Sequence, residues 1–433
     1  MKKLLLFSAL LGLTSVAFAK NQENQLDELS SQVYPQVVEL RRWFHEHPEL
    51  SNREFNTSKR ITEELEKLGL KPVSGIAKTG VVALLKGAKP GPTVALRADI
   101  DGLPVTEKTG LPFASQATSE FAGKKVGVMH ACGHDSHIAM LLGAAKILVE
   151  LKEELAGDVL FIFQPAEEGA PPGEEGGAEL MLKEGLFEKY QPDVIFGMHV
   201  GLNMPGGQIA VRPGPAMAAV DMFELKVTGK QTHGARPWGG VDPIVTASQI
   251  IVGLQTIVAR QTNITKAPAI VTVGKIDGGV RHNIIPDEVN LWGTIRNFDM
   301  NIRDDIHASI EKIATNIAES AGAKAELTIQ EGYPVTVNDP ELTAKMLPTL
   351  QRVSGETAVI TPDLVTGAED FSFFANEVPG VFLFLGSVEP GSDPKKAYSN
   401  HSPHFTIYEP TMQTGVRAFV NLTFDYMAMH LED

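Results

Sequence analysis

Residues that could bind a metal ion occur in short motifs at the junctions between predicted elements. Cys132 and His134 stand two positions apart, directly before a predicted helix. In an extended or turn backbone, alternate residues point the same way, so a thiolate and an imidazole at this spacing can bind one ion. Gly133 between them allows a close approach of the backbone. Cys132 is also the only cysteine, which excludes an intramolecular disulfide and a CxxC redox pair.

Two adjacent carboxylates form a second motif. Glu167 and Glu168 follow a strongly apolar run, residues 159–163, that predicts a buried strand. Ligands bind at the carboxyl ends of strands in open α/β sheets. Because adjacent side chains point in different directions, one carboxylate can coordinate a metal while the other holds a water. The alternatives are an exposed acidic turn for this pair and an inert buried side chain for Cys132.

Two histidines occupy comparable places. His199 lies at the end of another predicted strand, and His401 lies in a loop before the last predicted helix. Each histidine alone is more often structural than metal-binding. Together with Cys132, His134 and Glu168 they provide five donors, more than one tetrahedral zinc ion needs and suitable for two divalent ions that share a bridging group.

Alternating strands and helices position these motifs. The alternation predicts an α/β domain with a largely parallel sheet. Its predicted strands are residues 81–85, 93–100, 158–164, 194–200 and 380–386, and its later helices are residues 134–155 and a closing helix from about Thr411.

A different order of predicted strands and helices interrupts the first domain. Residues 221–320 read as strand, helix, strand, strand, helix, which predicts a small inserted α+β domain. Glycine and proline clusters near residues 213–215 and 332–334 mark its limits. We therefore expect one domain of residues 20–213 and 330–433 and an inserted domain of residues 214–329.

Length and composition narrow the class of protein. The chain has 433 residues, of which 43% are hydrophobic, and a net charge of −15. This length favours two domains over a single core, and the apolar fraction excludes a disordered chain. The acidic balance, without a basic run to offset it, argues against nucleic acid or an anionic membrane as a partner.

The N terminus has the features of a signal peptide. Lys2 and Lys3 precede an apolar stretch, residues 4–17, and Ala17-Phe18-Ala19 matches the small-x-small pattern before a cleavage site. We expect residues 1–19 to be removed after Ala19 and the mature chain to be exported to the periplasm. No later segment is expected to be long and apolar enough to cross a membrane.

Nine motifs, running in order from about Arg41 to the C terminus, resemble the M20 metallopeptidase family. The branch they resemble most contains amidohydrolases of N-acyl amino acids, such as hippurate hydrolase and the indole-3-acetyl-amino acid hydrolases. The motifs are residues 97–104, 130–137, 164–169, 198–199, 232–237, 283–287, 293–296, 367–371 and the loop around His401.

The resemblance implies an α/β fold: a zinc-peptidase-like catalytic domain with a mixed sheet, and an inserted α+β lid or dimerisation domain. It also implies two divalent ions, Mn or Zn, with Co or Ni as alternatives. The implied metal ligands are Cys132, His134, Glu168, His199 and His401, and the implied general base is Glu167. Many relatives have a bridging Asp at the position of Cys132 and a His ligand at that of Arg97, so the bridging group here is expected to be a thiolate.

Further roles follow from the same resemblance. Asp99 is expected to orient a metal ligand, and His233 to stabilise the oxyanion that develops during amide hydrolysis. Asn283 and Arg296 are expected to bind the substrate carboxylate, for which the Arg fork is well suited. Gln231-Thr232 departs from the Gly-Gly pair common before the histidine in relatives.

The sequence thus predicts metal-dependent hydrolysis of the amide bond of N-acyl amino acids. Two alternatives remain open at this point: an M20-type dipeptidase or carboxypeptidase, and a periplasmic metal-binding protein without catalysis. The inserted domain could also pair with a copy of itself along an edge strand or helix to form a homodimer, and a monomer stays open as the alternative.

Overall fold

The computed structural model describes the backbone of residues 2–355 and 359–430, with side chains from Asn24 onward in those ranges. The chain forms two compact units. The first comprises Met1–Pro213, Asn338–Pro362 and Phe374–Asp433, and the second comprises Gly214–Val337 and Asp363–Phe373. The predicted signal peptide, residues 1–19, falls where side chains are not described, and it stays a prediction, as do the predicted domain limits.

A mixed eight-stranded sheet forms the centre of the first unit. Its strands, numbered along the whole chain, are β1 (Val73–Ile76), β2 (Gly80–Leu85), β3 (Lys89–Asp99), β6 (Ala156–Gln164), β7 (Val194–Val200), β8 (Ile209–Ala210), β17 (Val359–Ile360) and β18 (Gly380–Leu385). The spatial order is β1-β2-β6-β3-β7-β18-β8-β17. The central strands β6, β3, β7 and β18 run parallel, whereas β2 and β8 join them antiparallel. A separate hairpin joins β4 (Thr118–Phe121) to β5 (Lys124–Gly127). The predicted mixed α/β fold is confirmed.

Helices cover this sheet. They are α1 (Lys2–Glu46), α2 (Phe55–Lys67), α3 (His134–Glu150), α4 (Gly177–Lys183), α5 (Leu186–Tyr190), α8 (Pro340–Ser354), α9 (Phe371–Glu377, which spans the limit between the units) and α10 (Thr411–Met429). Helix α3 is buried almost along its whole length. Gly143 allows this close packing, because a Cβ there would lie 2.6 Å from Val37 of α1 and 3.1 Å from Val416 of α10. The helix ends five residues before the predicted residue 155.

The second unit has its own sheet and core. Its strands are β9 (Gly214–Met217), β10 (Ala219–Thr228), β11 (Thr232–His233), β12 (Ala269–Asp277), β13 (Ile284–Ile285), β14 (Glu288–Asn297), β15 (Lys324–Glu331) and β16 (Thr336–Asn338, whose last residue belongs to the first unit). The four long strands form an antiparallel sheet in the order β12-β14-β10-β15. One face packs against α6 (Pro243–Thr256) and α7 (Met300–Ser320) through apolar side chains such as Leu225, Leu254 and Ile310.

Strand β15 was not predicted from the sequence. It follows α7 and pairs with β10 from Thr228↔Lys324 to Asp221↔Glu331. Its alternation of exposed and half-buried residues, with Ala325, Leu327 and Ile329 facing the core, is the period-2 pattern of a strand. The sequence therefore carried a signal for β15 that our prediction did not use.

Helix α6 continues into a π-helical turn, Ile257–Gln261. In the described part of the chain, Pro243–Gln261 is the one helix that is long and apolar enough to cross a membrane, judged by length and composition alone, and 33% of it is buried. The expectation that no such segment follows the N terminus is thus wrong. Exposed apolar residues raise its hydropathy, since Val245 and Val252 are 53% and 69% exposed.

Candidate metal centre

The turn that carries Cys132 and His134 depends on Gly133. Gly133 has a φ of 96°, in the left-handed region that favours glycine, and it directly precedes α3. A Cβ at this position would lie only 2.4 Å from Cγ2 of Val200. Glycine is therefore required both for the backbone conformation and for the contact with β7. This turn places the thiol just before α3 and His134 in the first turn of the helix.

The loop after β6 carries the two predicted carboxylates. Its residue Ala166 has a φ of 52°, unusual for a residue with a side chain. The backbone N–H of Ala166 donates to Oε1 of Glu54 at 2.9 Å. The N–H of Glu168 donates to Oδ2 of Asp101 at 3.0 Å. Two buried carboxyl groups thus fix the backbone on either side of Glu167.

His199 lies near the end of β7, and its ring orientation is fixed by the backbone. Its Nδ1 is 2.8 Å from the carbonyl oxygen of Val200 and donates to it. Nε2 then has a free lone pair, and it lies 3.3 Å from Sγ of Cys132. Burial lowers the pKa of His199 well below its ordinary value. The imidazole is therefore neutral, as a metal ligand must be.

His401 approaches the same sulfur from the loop before α10. Its Nε2 is 3.2 Å from Sγ of Cys132 and 3.0 Å from Oε1 of Glu168. His401 has a φ of 70°, and its N–H donates to the carbonyl oxygen of Ala131. Asn400 holds the loop by donating to the carbonyl oxygens of Cys132 and Val200 at 2.9 and 3.1 Å.

The structure brings all five predicted metal ligands together. One group of donors within 4.8 Å of one another consists of Cys132, His134 and His199, and another consists of Cys132, Glu168 and His401. The thiol is the member common to both groups. If each group held one ion, this sulfur would be within reach of both.

The donor set fits a pair of divalent ions. His134 is fully buried, and its Nε2 has no hydrogen-bond partner among the described residues. A buried ring nitrogen without a partner is costly unless a ligand or ion binds it, and binding an ion requires His134 to give up any proton on Nε2. Burial, followed by the charges of Glu168 and Glu167, raises the pKa of the Cys132 thiol well above its usual range. Metal binding would therefore have to displace the thiol proton.

Asp101 forms a hydrogen bond with His134, one of the predicted ligands. Oδ1 of Asp101 is 3.2 Å from Nδ1 of His134, whereas Oδ1 of Asp99 is 3.7 Å from it and 2.6 Å from Nδ1 of His137. Burial disfavours a charged His134, but the carboxylates of Asp99 and Asp101 outweigh it and raise the pKa to about 10. Asp101, two residues beyond Asp99, is not among the predicted site residues.

Asp99 contacts Arg97 and His137 and, through His137, the end of β7. Its carboxylate also accepts a hydrogen bond from Nη1 of the fully buried Arg97 at 2.8 Å. His137, which donates to Asp99 through Nδ1, accepts at Nε2 from the N–H of Val200 at 2.9 Å. Asp99 thus supports the end of β7, where His199 lies, so its predicted role in orienting a ligand stays open.

His233, Asn283 and Arg296 belong to the second unit. In β11, Nδ1 of His233 accepts from the N–H of Ala235 at 3.0 Å, so Nε2 carries the hydrogen and can donate. The carbonyl oxygen of Asn283 accepts from the N–H of Gly234, which joins the two loops. Arg296 lies in β14, where Nη1 donates to the carbonyl oxygen of Thr366 at 3.4 Å.

The fold and the donor set together define a metal-dependent hydrolase. Residues 95–425 match peptidase family M20/M25/M40, and the chain belongs to this family. The prediction of an enzyme is confirmed, and a metal-binding protein without catalysis is set aside.

Relatives from several organisms extend this assignment. The chain is similar to thermostable carboxypeptidase 1 of Saccharolobus solfataricus, with 41% identity over 394 residues that cover 90% of this chain and 95% of that protein. It is also similar to N-acetyl-L-cysteine deacetylase of Bacillus subtilis, with 39% identity over 374 residues that cover 86% of this chain and 84% of that protein. The solved structure of the YXEP protein of Bacillus subtilis, described as a dinuclear metal-binding peptidase of the M20 family, is 34% identical, with a TM-score of 0.76 over 92% of this chain and 99% of that one.

Proposed function

We propose that this protein hydrolyses the amide bond of N-acyl amino acids and releases a free amino acid and a carboxylic acid. The observation that carries the proposal is the pair of donor groups that share Cys132, with the carboxylate of Glu167 beside them. Oε2 of Glu167 lies 3.8 Å from Nε2 of His134. The arrangement therefore combines a site for two ions with an adjacent group that can accept a proton.

Two divalent ions, when bound, lower the pKa of a bound water towards about 7 and polarise an amide carbonyl. The role proposed for Glu167 is to accept the proton of the attacking water and to deliver it to the leaving nitrogen. Its backbone is fixed on both sides, by Glu54 at Ala166 and by Asp101 at Glu168. A base held in one place in this way can serve both proton transfers.

The proposed substrate contacts come from the second unit. Nε2 of His233 is available as a donor, which suits it to stabilise a developing oxyanion, a contact typically worth about 3–4 kcal/mol. Arg296 and Asn283 are proposed to bind the free carboxylate of the amino acid. Burial lowers the pKa of Arg296, but an arginine keeps its charge at any pH at which proteins fold.

Carboxypeptidase activity is the competing proposal, because one relative of 41% identity is named a carboxypeptidase. The two activities share the attacking water and the substrate carboxylate and differ in the group on the other side of the bond. Assays with benzoylglycine, acetylcysteine and glycylglycine at equal concentration separate them. Faster hydrolysis of the two acylated substrates supports the proposal, and faster hydrolysis of the free-amine dipeptide contradicts it.

The adjacent glutamates allow a matched test of the base. Glu167→Gln should lower kcat by at least about 100-fold, within the usual range for general acid–base catalysis, and leave the metal content unchanged. Glu168→Gln should instead reduce the metal content, because Glu168 belongs to a ligand group. Equal activity of Glu167→Gln and the unmodified protein would disprove the role of Glu167.

The metal and the location are proposed on the residues alone. The N, S and O donors suit Mn or Zn, and Co or Ni are alternatives. Elemental analysis of the protein purified without added metal identifies the ion. Residues 1–19 are proposed to direct export to the periplasm. N-terminal sequencing of the periplasmic protein should start at Lys20, and an uncleaved cytoplasmic protein would contradict export.

A further inference from the structure

Glu54 is a buried carboxyl group without an ion-pair partner among the described residues. It precedes α2, is fully buried and accepts hydrogen bonds from Oγ1 of Thr79 at 2.6 Å and from the N–H of Ala166 at 2.9 Å. Burial, with the nearby charge of Asp101, raises the pKa of Glu54 to about 8. Burying such a group is unfavourable, so its position calls for an explanation beyond packing.

The partner of Glu54 is a strained peptide directly before the proposed base. Ala166 has a φ of 52°, a conformation that residues with a Cβ adopt only when their surroundings hold them in it. The peptide N–H of Ala166 is the group that Glu54 binds. A change in the backbone at Ala166 would turn the next side chain, which is the carboxylate of Glu167.

Ser51 and Asn52, which precede Glu54, also hold the loop that carries Glu167. Oγ of Ser51 donates to Oδ2 of Asp101 at 2.7 Å, and the same oxygen accepts from the N–H of Glu168 at 3.0 Å. Nδ2 of Asn52 donates to the carbonyl oxygen of Glu175 at 3.0 Å. Residues 51–54, which we call the brace, therefore hold the loop of Glu167 at several points.

We propose that Glu54 is a positioning residue for the hydrolysis: it holds the Ala166 peptide in its left-handed conformation and thereby aims the Glu167 carboxylate. Glu54 hydrogen-bonds Thr79 and Ala166, neither of which is a predicted metal ligand. The inference rests on the proposed function for its effect on rate, but the brace itself is a property of the fold. Small misplacements of a catalytic group can lower a rate about 100-fold, so Glu54 should affect kcat more than KM.

Three variants of Glu54 and one control test this role. Glu54→Ala removes the acceptor, Glu54→Asp shortens it by one methylene group, and Glu54→Gln keeps an oxygen that can accept from Ala166. The control is Glu64→Ala, because Glu64 is also buried, but its hydrogen-bond partners among the described residues are Arg60 and Lys67 of its own helix, α2. Hydrogen exchange of the peptide that covers residues 165–170 measures how firmly the brace holds this loop, and it needs no substrate.

Glu54→Ala and Glu54→Asp should speed hydrogen exchange of that peptide at least tenfold and lower kcat about 10- to 100-fold, with KM and metal content within twofold. Glu54→Gln and Glu64→Ala should behave like the unmodified protein. If Glu54→Ala does not fold, Glu54→Asp carries the test. Unchanged exchange in the folded variants, or a loss of activity in Glu54→Gln as large as in Glu54→Asp, would overturn the proposal.

A double variant separates positioning from general stability. In a Glu167→Gln background, Glu54→Ala should not lower the residual rate further, because the base that Glu54 aims is absent. The same fold loss in both backgrounds would show a structural role only and refute the proposal. If the unmodified protein hydrolyses no amide, the proposed function fails, while the exchange experiment still decides whether the brace exists.

Discussion

A methyl group at Gly133 tests whether the glycine between the two ligands is required by the structure. The φ of 96° costs about 1–2 kcal/mol for a residue with a Cβ. That Cβ would also lie 2.4 Å from Cγ2 of Val200, and overpacking in a buried site costs about 1–3 kcal/mol. Gly133→Ala should therefore lower the free energy of unfolding of the metal-free protein by about 2–5 kcal/mol.

Gly69→Ala is a matched control for this substitution. Gly69 has a φ of 79°, but nothing lies within 4 Å of its added Cβ, so only the backbone cost of about 1–2 kcal/mol applies. Urea unfolding of both metal-free variants measures the two costs. Calorimetric titration should also show metal affinity about 10- to 100-fold weaker in Gly133→Ala, as when groups that orient metal ligands are changed, and unchanged in Gly69→Ala. Equal destabilisation of the two variants would show that the contact with Val200 adds no cost to that of the backbone conformation.

Three further predictions concern the ligands, the pH dependence and the surface. Cys132→Ser should lose at least one metal ion per chain and nearly all activity, as elemental analysis and assay would show, and retention of both would refute the shared sulfur. Burial alone would lower the pKa of His45, but its hydrogen bond to Asp135 at 2.9 Å helps to raise it above 6.5. His45→Gln should therefore destabilise most below pH 6.5 and progressively less as pH rises through the folded-state pKa, and a pH-independent difference in urea unfolding would contradict this. If the inserted domain forms a homodimer through the exposed face of α6, Val252→Glu should convert dimers to monomers in light scattering, whereas a monomeric unmodified protein would exclude this dimer.

The sequence predicted the elements with a strong apolar pattern and the ligands that follow them. The residues of β7 are continuously apolar up to Met198, and the predicted and observed bounds of this strand agree. The end of α3 was harder to place, because Leu151 follows Glu150 without a glycine or proline to stop the helix. The period-2 pattern of β15 was present but lies beside the predicted domain limit.

The five predicted ligands, which the structure brings close together, could be named from sequence, but the residues that hold them in place could not. Asp99 and Asp101 have the same residue type and lie two positions apart, so spacing alone does not tell which one accepts from His134. That choice depends on how the chain leaves β3, and Asp101 lies beyond the end of the strand. Glu54 is more remote still, since it contacts Ala166 across 112 positions of sequence.

Val200 contributes no chemistry of its own, yet its backbone N–H binds His137, its carbonyl binds His199 and Asn400, and its methyl group meets Gly133. A survey of natural variants that ranks positions by the reactivity of their side chains would pass over it. Substitutions at Val200 should nevertheless lower activity, because a bulkier or displaced residue would shift several of the predicted metal ligands at once. In clinical or environmental variant data on such enzymes, an aliphatic residue at this strand end belongs with the functional positions.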